Sequence, residues 1–164
     1  MKKIFTSLFI ILLVVGVTFA IGSRLLYPLK HENHIVKYSD KYKVDPYILA
    51  SLIHKESNYR SDGYDSSKLN GIIKISDETA LKLSKELNLK EFKPKDITKP
   101  EIGIEMMAYL LSKSEKNSNL QEYLKPFILR NKDKSNDEIK EYSNDVLKSK
   151  SWYKVFHYNL KNYI

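Results

Sequence analysis

Apolar residues run without a charge from Ile4 to Gly22, broken only by Thr and Ser, directly behind Lys2-Lys3. Nineteen such residues, at about 1.5 Å of helical rise each, give roughly 28 Å, close to the thickness of a bilayer core. Beyond a short Pro-containing connector, Leu25 to Leu29, the pattern becomes helical in period. Ile35, Tyr38 and Tyr42 predict a helix over His31 to Lys43. Asp45-Pro46 supplies an N-cap and a proline for the first helical position, opening a second helix with Ile48, Leu49, Leu52 and Ile53 on one face. Glu56 follows Leu52 by four and Ile53 by three, so it shares that face. Asn58 to Asn70 is a loop rich in Ser, Asp and Gly. Ser76-Asp77 caps a third helix to about Leu87, with Ala80 and either Leu83 or Leu87 inward and Asn88 as the stop. A connector from Pro94 to Pro100 leads to a long helix from Glu101 to about Lys116. Another helical piece covers roughly Leu120 to Arg130, interrupted or offset near Pro126. Ser135 with Glu138 forms a capping box for a helix to about Lys148, and Trp152, Tyr153 and Phe156 mark a separate aromatic C-terminal helix. Nothing alternates as a strand does, although Gly71 to Ile75 is expected to be locally extended. The expected fold class is a small all-α domain.

The first segment divides the chain into residues 1–23, a membrane anchor or signal segment, and residues 24–164, one domain. A cleaved signal usually has a shorter apolar region, and Ala20-Ile21-Gly22 offers a small-x-small exit site, so anchor and cleaved leader both stay open. With the lysines ahead of the span, the positive-inside rule exports the rest: single-pass at the cell membrane, or secreted if the segment is removed. The chain has 28 basic and 20 acidic residues; setting Lys2 and Lys3 aside leaves 26 against 20, a net +6 on the exported part. That charge favours anionic surroundings such as wall polymers or headgroups, as it would any lysine-rich solvated surface. The lysines are scattered among acids, so nucleic acid is not an expected partner. His31, His34, His54 and His157 have no metal-ligand spacing and the chain has no cysteine, so neither metal nor other cofactor is expected.

Glu56 carries the candidate chemistry. A carboxyl at the end of a buried helix, beside an open loop, is where a general acid would sit; most helix glutamates are surface residues, which is the competing reading. Val44-Asp45-Pro46-Tyr47-Ile48-Leu49-Ala50, Glu56-Ser57-Asn58-Tyr59, Gly71-Ile72-Ile73-Lys74-Ile75 with Glu78-Thr79-Ala80, and Pro100-Glu101-Ile102 with Tyr109-Leu110 occur in order. Together with Tyr27 to Glu32 they resemble the soluble-lytic-transglycosylase family. The resemblance implies a lysozyme-like fold with a groove for peptidoglycan glycan strands; the chain is expected to be a monomer. It implies cleavage of the β-1,4 bond between N-acetylmuramic acid and N-acetylglucosamine. One carboxyl, Glu56, would protonate the glycosidic oxygen and then take the C6 hydroxyl proton, leaving a 1,6-anhydro end. No second carboxylate is required, unlike the paired acids of most glycosidases. Ser66, Lys74, Phe127 and Tyr109 are the implied substrate-binding positions.

The chain departs from the family pattern at several of these. Lys74 stands where the family has Gln, Asp77 where it has Pro, and Pro126-Phe127-Ile128-Leu129-Arg130 where it has Ala-Tyr-Asn-Ala-Gly. Phe127 keeps the ring of the tyrosine without its hydroxyl. Lys74 either reaches Glu56, whose charged form it would favour, or turns outward. The alternatives to an enzyme are a catalytically silent domain that binds glycan or a partner at the wall, and a structural scaffold of the same fold.

Overall fold

The computed structural model describes residues 2–114 and 119–161. Its seven α-helices are α1 (Lys2–Ile21), α2 (Glu32–Tyr42), α3 (Pro46–Ser57), α4 (Asp77–Glu86), α5 (Pro100–Ser112), α6 (Leu120–Ile128) and α7 (Asn136–Phe156). A π-helical turn, Gly22–Leu26, extends α1, and 3₁₀ turns occupy Pro94–Thr98 and Tyr158–Lys161. Among the described residues there is no strand, only an isolated antiparallel bridge between Asn70 and Ile75. The all-α expectation holds.

Local chemistry sets the helix ends. The Asp45 carboxylate accepts from the Tyr47 N–H (2.9 Å) ahead of Pro46, which starts α3, a cap worth about 1 kcal/mol. Ser76 caps α4 through the Thr79 N–H, Asn119 caps α6, and Ser135 with Glu138 closes a full capping box on α7. The structure departs from the sequence expectation at Pro126, along α7 and at the glycine turn. Pro126 does not interrupt α6, which continues to Ile128 around it. The last two expected helices are one 21-residue helix, α7, because no proline or glycine lies between Lys148 and Trp152 to end it. Helix α5 closes at Ser112, and the expected end, Lys116, lies outside the described residues. Gly71 to Ile75 is a tight turn rather than an extended segment.

Helix α3 is the centre of the domain. Its buried residues run from Pro46 to Ile53 without a break and resume at Ser57, because it packs against α2, α5 and α7 at once. Helix α5 contributes Ile104, Met106, Met107 and Leu111, α6 contributes Leu124 and Phe127, and α7 contributes Ile139, Val146 and Tyr153. Two ionic clusters tie α2 to α5. Lys37 Nζ (2.7 Å) and the Tyr38 hydroxyl (2.9 Å) donate to Glu101. Lys41 Nζ (2.5 Å) and the Tyr42 hydroxyl (3.0 Å) donate to the buried Glu105. Burial is the main reason both tyrosines hold their protons above the usual phenol range, with Tyr38 pushed up to about 12.

The turn from Asn70 to Ile75 rests on the 3₁₀ segment behind it. Gly71 has φ +72°, and a Cβ there would overlap the Ile97 carbonyl oxygen. Gly71→Ala therefore combines a left-handed backbone penalty with a backbone clash. We expect it to lower the unfolding free energy of the full chain in micelles by at least about 2 kcal/mol in a urea titration followed by circular dichroism.

Candidate active site

Glu56 ends the buried stretch of α3 and is followed by an abrupt reversal. Asn58 (φ 49°) and Tyr59 (φ 61°) are both left-handed, a conformation asparagine tolerates and a bulky tyrosine rarely adopts. Burial holds the reversal in place. Tyr59 is in the core, its hydroxyl donating to the Ala50 carbonyl (3.2 Å), and Ser57 donates to the Ile72 carbonyl (2.8 Å). The segment after the acid is thereby fastened to the glycine turn.

Both oxygens of the Glu56 carboxylate are engaged. Oε2 accepts from Arg130 Nη2 at 2.5 Å, and Oε1 accepts from the Tyr142 hydroxyl. The side chains of Arg130 and Glu56 are only 6% and 13% exposed, so this is a buried ion pair. Burial first, and the Glu56 charge second, push the Tyr142 phenol far above its ordinary value, so it acts as a hydrogen-bond donor throughout the physiological range.

Arg130 is fixed before it meets the acid. Its Nε and Nη2 donate to the Ile73 carbonyl (3.2 and 2.7 Å), Nη2 also to the Lys74 carbonyl (3.2 Å), and Nη1 to the Phe127 carbonyl (2.9 Å). Its guanidinium carbon lies 3.9 Å from the centre of the Phe127 ring. Asn131 pins the same segment, accepting from the Ser76 N–H (3.0 Å) and donating to the Lys74 carbonyl (2.7 Å). The Thr79 hydroxyl donates to the Arg130 carbonyl (2.8 Å). Helix α6 and the glycine turn thus converge on one guanidinium, and the start of α4 fastens the backbone that carries it.

The residues expected from sequence are distributed unevenly around this pair. Glu56 is at its centre. Phe127 is fully buried and supports Arg130 from beneath; a ring with no accessible surface presents nothing to a ligand. Lys74 turns away from the acid, its ammonium pairing with Asp62 at 3.1 Å, while its backbone carbonyl serves Arg130 and Asn131. The cation beside Glu56 is Arg130. Ser66 is exposed on the loop, in a turn closed by Asp65, which accepts from the Ser67 N–H and hydroxyl. Tyr109 lies on α5, donating to Glu86 (3.1 Å) and edge-on to Tyr42. No described contact joins Ser66 or Tyr109 to Glu56. Tyr142 was missed, although its place three after Ile139 and four before Val146 puts it on the inward stripe of α7.

Two clefts are lined in part by residues that bond Arg130 or follow it in the chain. One of about 470 Å³ is lined by Ser76, Thr79, Glu86, Lys113, Arg130 and Asn131 among others. The other, of about 400 Å³, lies between the loop and the turn, lined by Asp62, Asp65, Asn70, Gly71 and Lys74 among others. Glu56 lines neither; Arg130 lines the first and Lys74 the second. A larger concavity, about 990 Å³ around Phe92 and Lys93, shares no residue with the Glu56 cluster.

A family profile, the transglycosylase SLT domain, matches residues 33–125, from α2 through most of α6. The chain belongs to that family. The helical architecture of the described residues is accordingly the lysozyme-like fold of the SLT domain, and the family places its work on peptidoglycan. No curated protein matches the chain. The SLT match ends before Arg130 and Tyr142, so both contacts to the carboxylate come from beyond the matched segment.

A buried charge that loses its partner is costly, typically 3–5 kcal/mol, whereas removing both partners costs much less. Arg130→Met should destabilise the chain by about that amount. Adding Glu56→Gln to Arg130→Met should recover a large part of the loss, since the carbonyls that Arg130 leaves behind are common to both variants. A double-mutant cycle on chemical denaturation checks this, and strict additivity would contradict the pairing.

Proposed function

We propose that this SLT-domain protein is a peptidoglycan lytic transglycosylase held at the outer face of the cytoplasmic membrane by its N-terminal helix, with Glu56 as its only acid and base. The division into an anchor, residues 1–23, and a catalytic domain, residues 24–164, is part of this reading. The supporting observation is the placement of Glu56, a carboxyl within the SLT-matched segment near the end of the buried helix α3, beside a segment fastened to the glycine turn. Glu56 is fixed by Tyr142 and Arg130, and among the described contacts no second carboxylate bonds to it or to either partner. A one-carboxyl mechanism needs no second carboxylate, whereas a hydrolase of the usual kind holds one roughly 5–9.5 Å from the acid rather than bonded to it.

In the proposed reaction Glu56 gives its proton to the glycosidic oxygen as the bond from C1 of N-acetylmuramic acid to that oxygen breaks. The substrate's acetamido group stabilises the cationic C1. The Glu56 carboxylate then takes the C6 hydroxyl proton while O6 bonds to C1, and the acid is regenerated without water. Arg130 sets a condition on the first step. While its N–H points at Oε2, that oxygen cannot offer a proton, so glycan binding has to draw the guanidinium aside. Ser66 and Lys74, on the loop and turn beside the acid, remain the proposed glycan contacts, Tyr109 a more distant one, and Phe127 contributes through Arg130.

The second reading, a silent glycan-binding domain, draws on the same ion pair: an acid kept closed by Arg130 would bind without cutting. Digestion of purified peptidoglycan by the full chain in micelles, read by mass spectrometry, separates the two. We expect anhydro-muramyl products from the parent and none from Glu56→Gln. Glycan retention with no product from either protein would establish the silent reading.

A further inference from the structure

The span of Lys3–Leu26 is the one candidate for crossing a membrane among the described residues. At 24 residues and about 1.5 Å each it is roughly 36 Å long, several Å more than a hydrocarbon core of about 30 Å. Its C-terminal turns therefore reach into the headgroup layer. The end of the span is packed on the domain. The rings of Phe19 and Phe156 lie 5.2 Å apart, and Gly22 is buried against the Phe156 ring so closely that a Cβ would overlap it. Phe19 lies seven residues before the end of the span, about 10 Å down its axis. A ring touching Phe19 is thus held at the boundary of the acyl chains.

The connection above that contact is stiff. Tyr27 stacks on Trp152 (6.0 Å) and Phe156 (5.7 Å). The Tyr153 hydroxyl donates to the Pro28 carbonyl (2.8 Å), and the His157 ring bonds the Tyr27 carbonyl (2.7 Å). Around this junction the surface is apolar: Leu25, Leu26, Trp152, Val155 and Tyr158 are all exposed, Leu25 and Tyr158 by 71% and 70%. Trp152 and Val155 are three apart on α7 and share a face, with the exposed Lys148 one turn before Trp152 on that face. Arg24 is exposed beside Leu25. Tryptophan and tyrosine next to a span, with basic side chains at the edge, is the composition of a membrane-interface belt.

Resting on the reading of α1 as a retained anchor, we propose that the domain is docked on the lipid surface itself, through a patch of Leu25, Leu26, Trp152, Val155 and Tyr158, rather than tethered above it. The lipid surface is the occupant because the patch is continuous with the span and its basic rim complements anionic headgroups. One helix then links membrane and acid. Tyr142, which bonds Glu56, is ten residues from Trp152 on α7, about 15 Å along its axis. The glycan within reach of Glu56 is the strand nearest the membrane.

Trp152 is the chain's single tryptophan, so its fluorescence reports the patch alone. The test is the full chain in vesicles of zwitterionic and anionic phospholipid, with and without bromine on the shallow acyl carbons, after flotation to isolate the vesicle-bound fraction. Docking predicts at least about twofold quenching of Trp152 by the brominated lipid, reduced in Val155→Glu/Tyr158→Glu with flotation retained. Chain that floats with unquenched emission overturns docking and leaves the anchor standing. Chain that does not float overturns the anchor, and docking with it.

Discussion

The site depends on one buried ion pair. Glu56 and Arg130 neutralise each other where water is largely excluded, and four parts of the chain are arranged to let them do so. Helix α3 delivers the carboxylate, the end of α6 delivers the guanidinium, the glycine turn supplies carbonyls from Ile73 and Lys74, and α7 supplies Tyr142. A guanidinium has five N–H donors in a fixed plane, and here they satisfy a carboxylate and three carbonyls at once. A lysine at position 130 could not do this, since its ammonium is a point charge without the planar fork. The arrangement is rigid in a way a lone carboxylate on a helix would not be.

That rigidity has a functional side. A glycan-cleaving acid needs a proton on one oxygen when substrate arrives, and the resting structure directs a donor at each. The ion pair thus makes Arg130 the group whose displacement separates a resting site from a working one. On the proposed reading, substrate binding supplies the energy for that displacement through contacts remote from the reacting bond. Docking on the lipid surface would add a second constraint, since α7 carries both the Tyr142 contact and the aromatic patch. It would hold the acid at a set height over the membrane and leave the glycan to come to it.

The fold was largely legible in the sequence because its signals are local. Asp45-Pro46, Ser76 and the Ser135–Glu138 box each bond within their own helix turn, so their residue types announce them. Glu56 was legible for a related reason: its spacing from Leu52 and Ile53 gives its face. The errors came from non-local effects. Pro126 reads as a breaker, yet the burial of Leu124 and Phe127 on either side carries α6 through it. The sequence leaves Lys74 open between reaching the acid and turning outward; its left-handed backbone (φ 46°) goes with an ammonium paired outward to Asp62. Arg130 and Tyr142 lie 74 and 86 residues from Glu56, so no spacing rule could have joined them to it. Phe127 was expected to face sugar and instead supports the guanidinium, a role that only the path of α6 reveals.

The most direct test of the account is a structure of the full chain, carrying Glu56→Gln, with a bound tetrasaccharide of alternating N-acetylglucosamine and N-acetylmuramic acid. The account predicts a glycosidic oxygen within hydrogen-bonding distance of residue 56, with the Arg130 side chain moved away from it. Glycan bound elsewhere, with the side chains of residues 56 and 130 still in contact, would contradict the assignment of Glu56 as the acid.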